Sequence, residues 1–391
     1  MSFIPITNKK LHILWGETYA MKKSLKLLML AMMALALVFV AAACGNQEEA
    51  QPEAEAGGEQ PQEEEQQEEV VTEDGGVVNL YTSRHYDTDQ ELYNMFEEQT
   101  GIKVNVIEGK GDELMERLDR EAEATEADVF ITADAGNLAR LKEKGLTQAV
   151  ESDVLSTNVP EKLRDADNEW FGLTKRARVI VYAKDRVDPS ELSTYEALTE
   201  DEWNGRVLIR SSENIYNQSI MASFIELNGE EAAKEWAQGI VNNMAREPEG
   251  GDTDQVKAVV AGEGDVAISN TYYVGRLLNS EDPEDVKVGE AVGVFFPNQE
   301  TNGTHINISG AAVVKYAKNV DNAIQFIEFL SSLEAQAAFA EGNNEYPVNP
   351  DAEWSETVKA WGEFKEQDID LTILGDNNAR AIQILNEVGW K

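Results

Sequence analysis

Two adjacent pairs of side chains and one single tyrosine carry the most specific chemistry in this sequence. His85 and Tyr86 follow each other in the stretch 82–87. Tyr272 and Tyr273 follow each other in 269–273, and Tyr216 stands between the pairs in 215–218. A phenolate is a hard, anionic oxygen donor, and such donors suit hard, highly charged cations. Several phenols joined by one imidazole would suit ferric iron. Ordinary amphipathic tyrosines, half in the core and half wet, give the same local spacing. The choice between the two readings depends on the elements that position these residues.

Strand-like and helical periods alternate along the chain. Residues 77–81 predict a strand, 89–100 a helix stopped by Gly101, and 103–107 a second strand; 112–124, 127–132 and 137–144 repeat the pattern. This order predicts an α/β protein with a mostly parallel sheet and helices on both faces. Strands are predicted at 178–183, 207–210, 265–269, 292–296 and 306–314. Helices are predicted at 218–226, 230–243, 253–261, 321–330, 334–342 and 379–389. In open α/β sheets ligands bind outside the carboxyl ends of the strands. His85 and Tyr86 follow the first strand, Tyr216 follows 207–210, and Tyr272 and Tyr273 follow 265–269. All five therefore fall where such a fold binds ligands, and their separation in sequence suits a site built between two lobes.

The N-terminal part reads as an address. Lys22, Lys23 and Lys26, the uncharged apolar run 27–40 and the small residues 41–43 form a secretory signal, with the true start expected at Met21. Cys44, the single cysteine, follows directly and predicts a lipidated N-terminus, although Ala41 stands where a lipobox usually has Leu. Residues 45–76 are expected to form a disordered acidic tether, since 45–75 hold twelve acids, no base and no aromatic. The formal net charge of −40 excludes nucleic acid as a partner and favours cationic ones. The stretch after the tether is long enough for two domains.

From residue 77 onward the chain resembles the bacterial ferric-iron-binding proteins of ABC transporters, within the class II periplasmic-binding-protein superfamily. The segments 81–89, 171–182, 214–219, 270–276 and 341–350 carry the resemblance. It implies a two-lobed fold with two crossing strands at the hinge and a metal set of His85, Tyr86, Tyr216, Tyr272 and Tyr273, with Fe(3+) as the transported ligand. Some relatives place an acidic ligand at the position of Asp134 and add an anion such as phosphate, which a residue matching Asn270 helps to hold. Here Tyr216 can supply the extra anionic oxygen, so a synergistic anion stays open, and Asp134 equally suits a helix cap.

Arg84, Arg176 and Arg178 are candidates to stabilise phenolates from behind, with ordinary pairing to the many acids as the alternative. The expected lobes are 77–176 with 304–350, and 177–303 with 351–391. The implied partner is a membrane ABC permease, with a lipid anchor as the only membrane contact and a monomer as the assembly. The chain is expected not to be an enzyme. It has no Gly-x-Ser-x-Gly, no His-Glu-x-x-His and no phosphate-binding glycine loop, and His305 reads as a hinge-strand residue. The competing readings are a binding protein for ferrous iron, a ferric chelate or a small organic anion, and an extracellular enzyme.

Overall fold

Short β-strands fan out from one long strand. The computed structural model describes residues 75–84 and 86–391. The signal, Cys44, the tether up to residue 74 and His85 lie outside the described residues. The strands are β1 (Val77–Thr82), β2 (Lys103–Glu108), β3 (Val129–Thr132), β4 (Phe171–Ala183), β5 (Val207–Leu208), β6 (Val266–Asn270), β7 (Val292–Phe295), β8 (Ile306–Val313) and β9 (Tyr346–Pro347). The principal path runs β2-β1-β3-β8-β4-β6-β5, with β7 and β9 also pairing to β4.

β1 pairs in parallel with β2 and β3, as the alternating N-terminal pattern requires. β5 pairs in parallel with β6. The expectation of a mostly parallel sheet is otherwise corrected. β8 runs antiparallel to β3, and β4 runs antiparallel to β6, β7, β8 and β9. Hydrophobic period reports that a strand is buried but not which way it runs, so the returning strands carried no signal of direction.

β4 is also much longer than the predicted 178–183. Its first part, Phe171 to Ala177, pairs with β8, and its second part, Arg178 to Tyr182, pairs with β6. One strand therefore serves two sets of strands, and the basic run Lys175, Arg176 and Arg178 sits where it changes partner. A further segment joins at this place: Thr304 N–H donates to Lys365 O at 2.8 Å and Gln367 N–H donates to Thr304 O at 3.0 Å.

The helices that matter for the site all begin at the ends of strands or of short loops. Asp87–Thr100 packs Leu92, Tyr93 and Phe96 inward and stops at Gly101, whose φ of 71° suits glycine. Ile215–Asn228 is capped by Asn214, which accepts from Tyr216 N–H at 3.0 Å. Thr271–Leu278 starts directly after β6. The C-terminal helix Asn378–Glu387 leads to Trp390, which is buried and donates its indole N–H to Arg210 O at 3.2 Å; Ser212 Oγ donates to Trp390 O at 2.7 Å. The chain end thus pins the loop that carries the cap of the Tyr216 helix. Helices Asp153–Asn158, Pro283–Ala291, Glu356–Trp361 and Ile373–Asp376 were not anticipated. Among the described residues no helix is long and apolar enough to cross a membrane.

Candidate metal centre

All four tyrosines owe their placement to the starts of three helices. Tyr86 is the N-cap of Asp87–Thr100, with extended backbone. Tyr216 lies in the first turn of Ile215–Asn228, and Tyr272 and Tyr273 lie in the first turn of Thr271–Leu278. A helix start carries unpaired N–H groups and partial positive charge, which favours an anionic oxygen nearby.

The four phenols converge. Tyr216 Oη and Tyr272 Oη are 3.1 Å apart. The Tyr272 and Tyr273 rings lie 4.2 Å apart between centroids, and the Tyr86 ring meets Tyr272 edge-on at 6.3 Å. Tyr272 is only 2 % exposed. Among the described residues no group of three or more His, Cys, Asp or Glu gathers to hold a metal. The donor set on offer here is phenolic.

The electrostatics of this cluster reward a cation of high charge. Burial pushes the Tyr272 phenol well above its ordinary pKa, and Tyr216, Tyr86 and Tyr273 push it further, against Arg176. Burial raises Tyr86 likewise, with Tyr216 and Glu345 adding to it and Arg84 opposing. Tyr273 is raised by burial, then by Tyr216, Asp252 and Tyr86, with the Tyr272 side chain opposing. With no cation present, neighbouring phenolates repel one another in a dry site. A bound trivalent ion reverses that balance, because its charge lowers the pKa of whatever it binds.

Arginines stand behind the rings, and they are buried and anchored. Arg84 holds Asp89 with two bonds of 2.8 and 2.9 Å, reaches Glu345 at 3.1 Å, and places its guanidinium carbon 4.8 Å from the Tyr86 ring centre. Burial opposes its charge, but Asp89 and Glu345 outweigh that and hold its pKa above the usual arginine value. Arg176 and Arg178 lie 5.2 and 5.9 Å from the Tyr216 ring centre. Arg178 donates to Asp252 at 3.0 Å, to Asn270 at 3.1 Å and to Asn217 at 2.7 Å. Asn270 therefore braces Arg178 through its oxygen, while its amide nitrogen has no partner. Ordinary surface pairing does not describe these arginines, since all three are at most 3 % exposed.

Asp134 does what a helix cap does. One oxygen accepts from Asn137 N–H at 3.1 Å, and the other accepts from Ser219 Oγ at 2.6 Å and Asn307 Nδ2 at 2.7 Å. None of its bonds is to a phenol. His305 is buried in the strand region, its Nδ1 3.0 Å from Gln367 Oε1; burial lowers its pKa to about 3, so it stays neutral.

Several contributors escaped the sequence reading. Asp252 bridges Arg178 and Arg210, the latter at 2.6 Å, and Arg210 lies 5.8 Å from the Tyr216 ring centre. Arg276 stands 5.7 Å from the Tyr86 ring centre. It lies four residues after Tyr272 and three after Tyr273, a helical spacing that could have revealed it. Asp252 and Glu345 had no such signal among 73 acids.

The model of the bacterial extracellular solute-binding proteins matches residues 91–366. This chain belongs to that family. Over 314 residues it is 55 % identical to iron uptake protein A1 of Synechocystis, covering 80 % of this chain and 87 % of that one. It is 26 % identical to the major ferric iron-binding protein of Neisseria meningitidis over 80 % of this chain and 93 % of the relative. Among solved structures, Trichodesmium FutA (IdiA) with iron and citrate superposes with a TM-score of 0.78 at 53 % identity, over 81 % of this chain and all of that one. The ferric binding protein of Campylobacter jejuni matches with a TM-score of 0.78 at 45 % identity, over 80 % of this chain and all of that one. The fold is accordingly the two-lobed one of solute-binding proteins, and membership of an extracellular solute-binding family places the protein outside the cytoplasm.

Proposed function

We propose that this protein captures ferric iron in the cleft between its lobes and delivers it to an ABC permease. The observation that carries the reading is the meeting of four phenols at Tyr272, backed by buried arginines. Relatives named for iron uptake and ferric-iron binding support it. Tyr86, Tyr216, Tyr272 and Tyr273 act as ligands, and His85, next to Tyr86 in sequence, completes the set on the family resemblance. Each phenol that binds iron releases its proton. Arg84, Arg176 and Arg178 stabilise the phenolates from behind, Asn270 holds Arg178, and Asp134 stays out of the coordination sphere.

One lobe comprises 77–176 with 304–350 and the other 177–303 with 351–391. Tyr86 comes from the first, and the remaining three tyrosines come from the second. Iron bound to both favours the closed form, because that form offers it more ligands. The protein works as a binding protein without catalysis, as a monomer held to the membrane by a lipid on Cys44.

Titration of the purified protein with ferric salt tests this. A red-orange phenolate-to-iron band that saturates at one equivalent is expected, and it should fade in Tyr272→Phe. A colourless titration would end the iron reading. A second reading has iron arriving with a small carboxylate chelator. A cavity of about 500 Å³ lined by Ser83, Lys110, Thr132, Asn137 and Asn214 has Tyr216, alone of the four tyrosines, in its wall and gives such a chelator room. Titration with ferric citrate and with ferric salt alone separates the two by the stoichiometry of retained citrate.

A further inference from the structure

Helix Ile215–Asn228 shows two polar side chains on one face. Tyr216 and Ser219 are three residues apart, a spacing that places them side by side. Tyr216 meets Tyr272, while Ser219, fully buried, donates its hydroxyl to Asp134 Oδ2 at 2.6 Å. Asp134 ends the loop after β3 and is itself 1 % exposed. The same oxygen takes Asn307 Nδ2 from β8 at 2.7 Å, and Asn307 Oδ1 in turn accepts Ala135 N–H at 3.0 Å. Arg176, which faces the Tyr216 ring, donates to Ala133 O, one residue before Asp134. Close by, a Cβ built on Gly136 would sit 2.9 Å from Leu374 O. The contact is therefore a tight, fully bonded junction rather than a passing one.

We propose that Asp134 is a positioning residue: its bond to Ser219 latches the Tyr216 helix to the opposite lobe and so sets where the Tyr216 phenol stands relative to Tyr86 when the cleft is shut. This rests on the lobe division and iron reading given above. A buried charge-assisted hydrogen bond is stronger than a neutral one, and here it spans the division at a point that touches no phenol. The latch therefore contributes to affinity through closure, not through coordination.

The experiment is a double-mutant cycle on the full protein with Asp134→Ser and Ser219→Ala, read by competition for Fe(3+) against citrate. Serine keeps a good helix cap but is too short to reach Ser219; Asp134→Asn serves if that variant does not fold. Each single change is expected to weaken iron retention about tenfold, and the pair together no more than either alone. The charge-transfer maximum should not move, and the iron-free melting temperature should shift less than that of the loaded protein. Unchanged affinity or multiplying losses would overturn the latch. So would a band shift in the Asp134 variant alone, which would make Asp134 a ligand. A wild-type protein that stays colourless would instead sink the iron site, so the two failures are told apart in the first titration.

Discussion

The Tyr86 side and the Tyr216–Tyr272–Tyr273 side solve the same problem with opposite charge balances. Behind Tyr86, one buried cation, Arg84, faces two acids, Asp89 and Glu345, while the second cation over the ring, Arg276, is exposed. Behind the trio, Arg176, Arg178 and Arg210 stand with Asp252 and Asp134, three cations to two acids. A phenolate costs less next to surplus positive charge than next to surplus negative charge. Burial and mutual repulsion raise the cost of the trio's own phenolates, and the arginines offset part of it; we propose that this support lets the trio engage a metal first, with Tyr86 joining as the cleft shuts. The difference teaches that ligand count alone does not describe this site, since the anchoring behind each ring decides which oxygens are ready.

The largest test of that contrast is a pair of conservative changes. Tyr272→Phe keeps the ring and removes the oxygen at the centre of the cluster. It should lower iron affinity beyond the roughly 10–100-fold usual for lost outer partners. Tyr86→Phe should cost less and act mainly by speeding release. Equal losses in chelator competition and stopped-flow release would break the comparison.

A smaller effect is expected from the acids. Asp252→Ala strands the buried Arg178 and the half-buried Arg210 and should destabilise the fold by about 3–5 kcal/mol. Glu345→Gln leaves Arg84 on both oxygens of Asp89 and should cost only about 1–2 kcal/mol. Urea unfolding of the iron-free proteins measures both, and a reversed order would show that the charge surplus is not where the geometry puts it.

Alkaline pH sharpens the same point. Tyr86, Tyr272 and Tyr273 titrate above the ordinary value when folded, whereas the unfolded chain gives up these protons near ~10. The unfolded state then holds fewer protons, so iron-free stability should be intact below pH ~10 and fall as pH rises beyond it. Iron affinity should change the other way, weakening as pH falls because protons compete with the metal for the phenols. Denaturation midpoints at about pH 8 and about pH 10.5 test the first, and Tyr272→Phe should blunt the decline. The smallest effect belongs to Arg276→Leu. This exposed cation over Tyr86 should change affinity by only a few-fold, roughly the worth of an exposed cation–π contact, read by the same competition.

Much of this was legible in the residues. The tyrosines could be placed because each follows a short apolar run and so sits at a strand end. The strands themselves were legible where side chains alternate or are uniformly apolar, as in Val78 and Leu80 of β1. The first part of β4 was not, because Thr174, Lys175 and Arg176 are polar residues packed against other strands and lack that pattern. The antiparallel returns were invisible because direction leaves no mark on periodicity. Asp252, Glu345, Ser219 and Asn307 were beyond reach for a different reason. Their roles arise from pairing across scores of residues, and in a chain this acidic a single Asp or Glu announces nothing.

The segment that pairs with Thr304 changes the mechanics of the molecule. Two neighbouring strands make a ribbon that bends and also twists freely about its length. Here a third strip is stitched alongside by the bonds of Thr304 to Lys365 and Gln367, while Arg178 N–H ties the other edge to His305 O at 2.9 Å. Three strips joined edge to edge act as a leaf spring: compliant across the leaf, stiff in torsion and in shear. A leaf of that build favours bending of one lobe against the other over twisting.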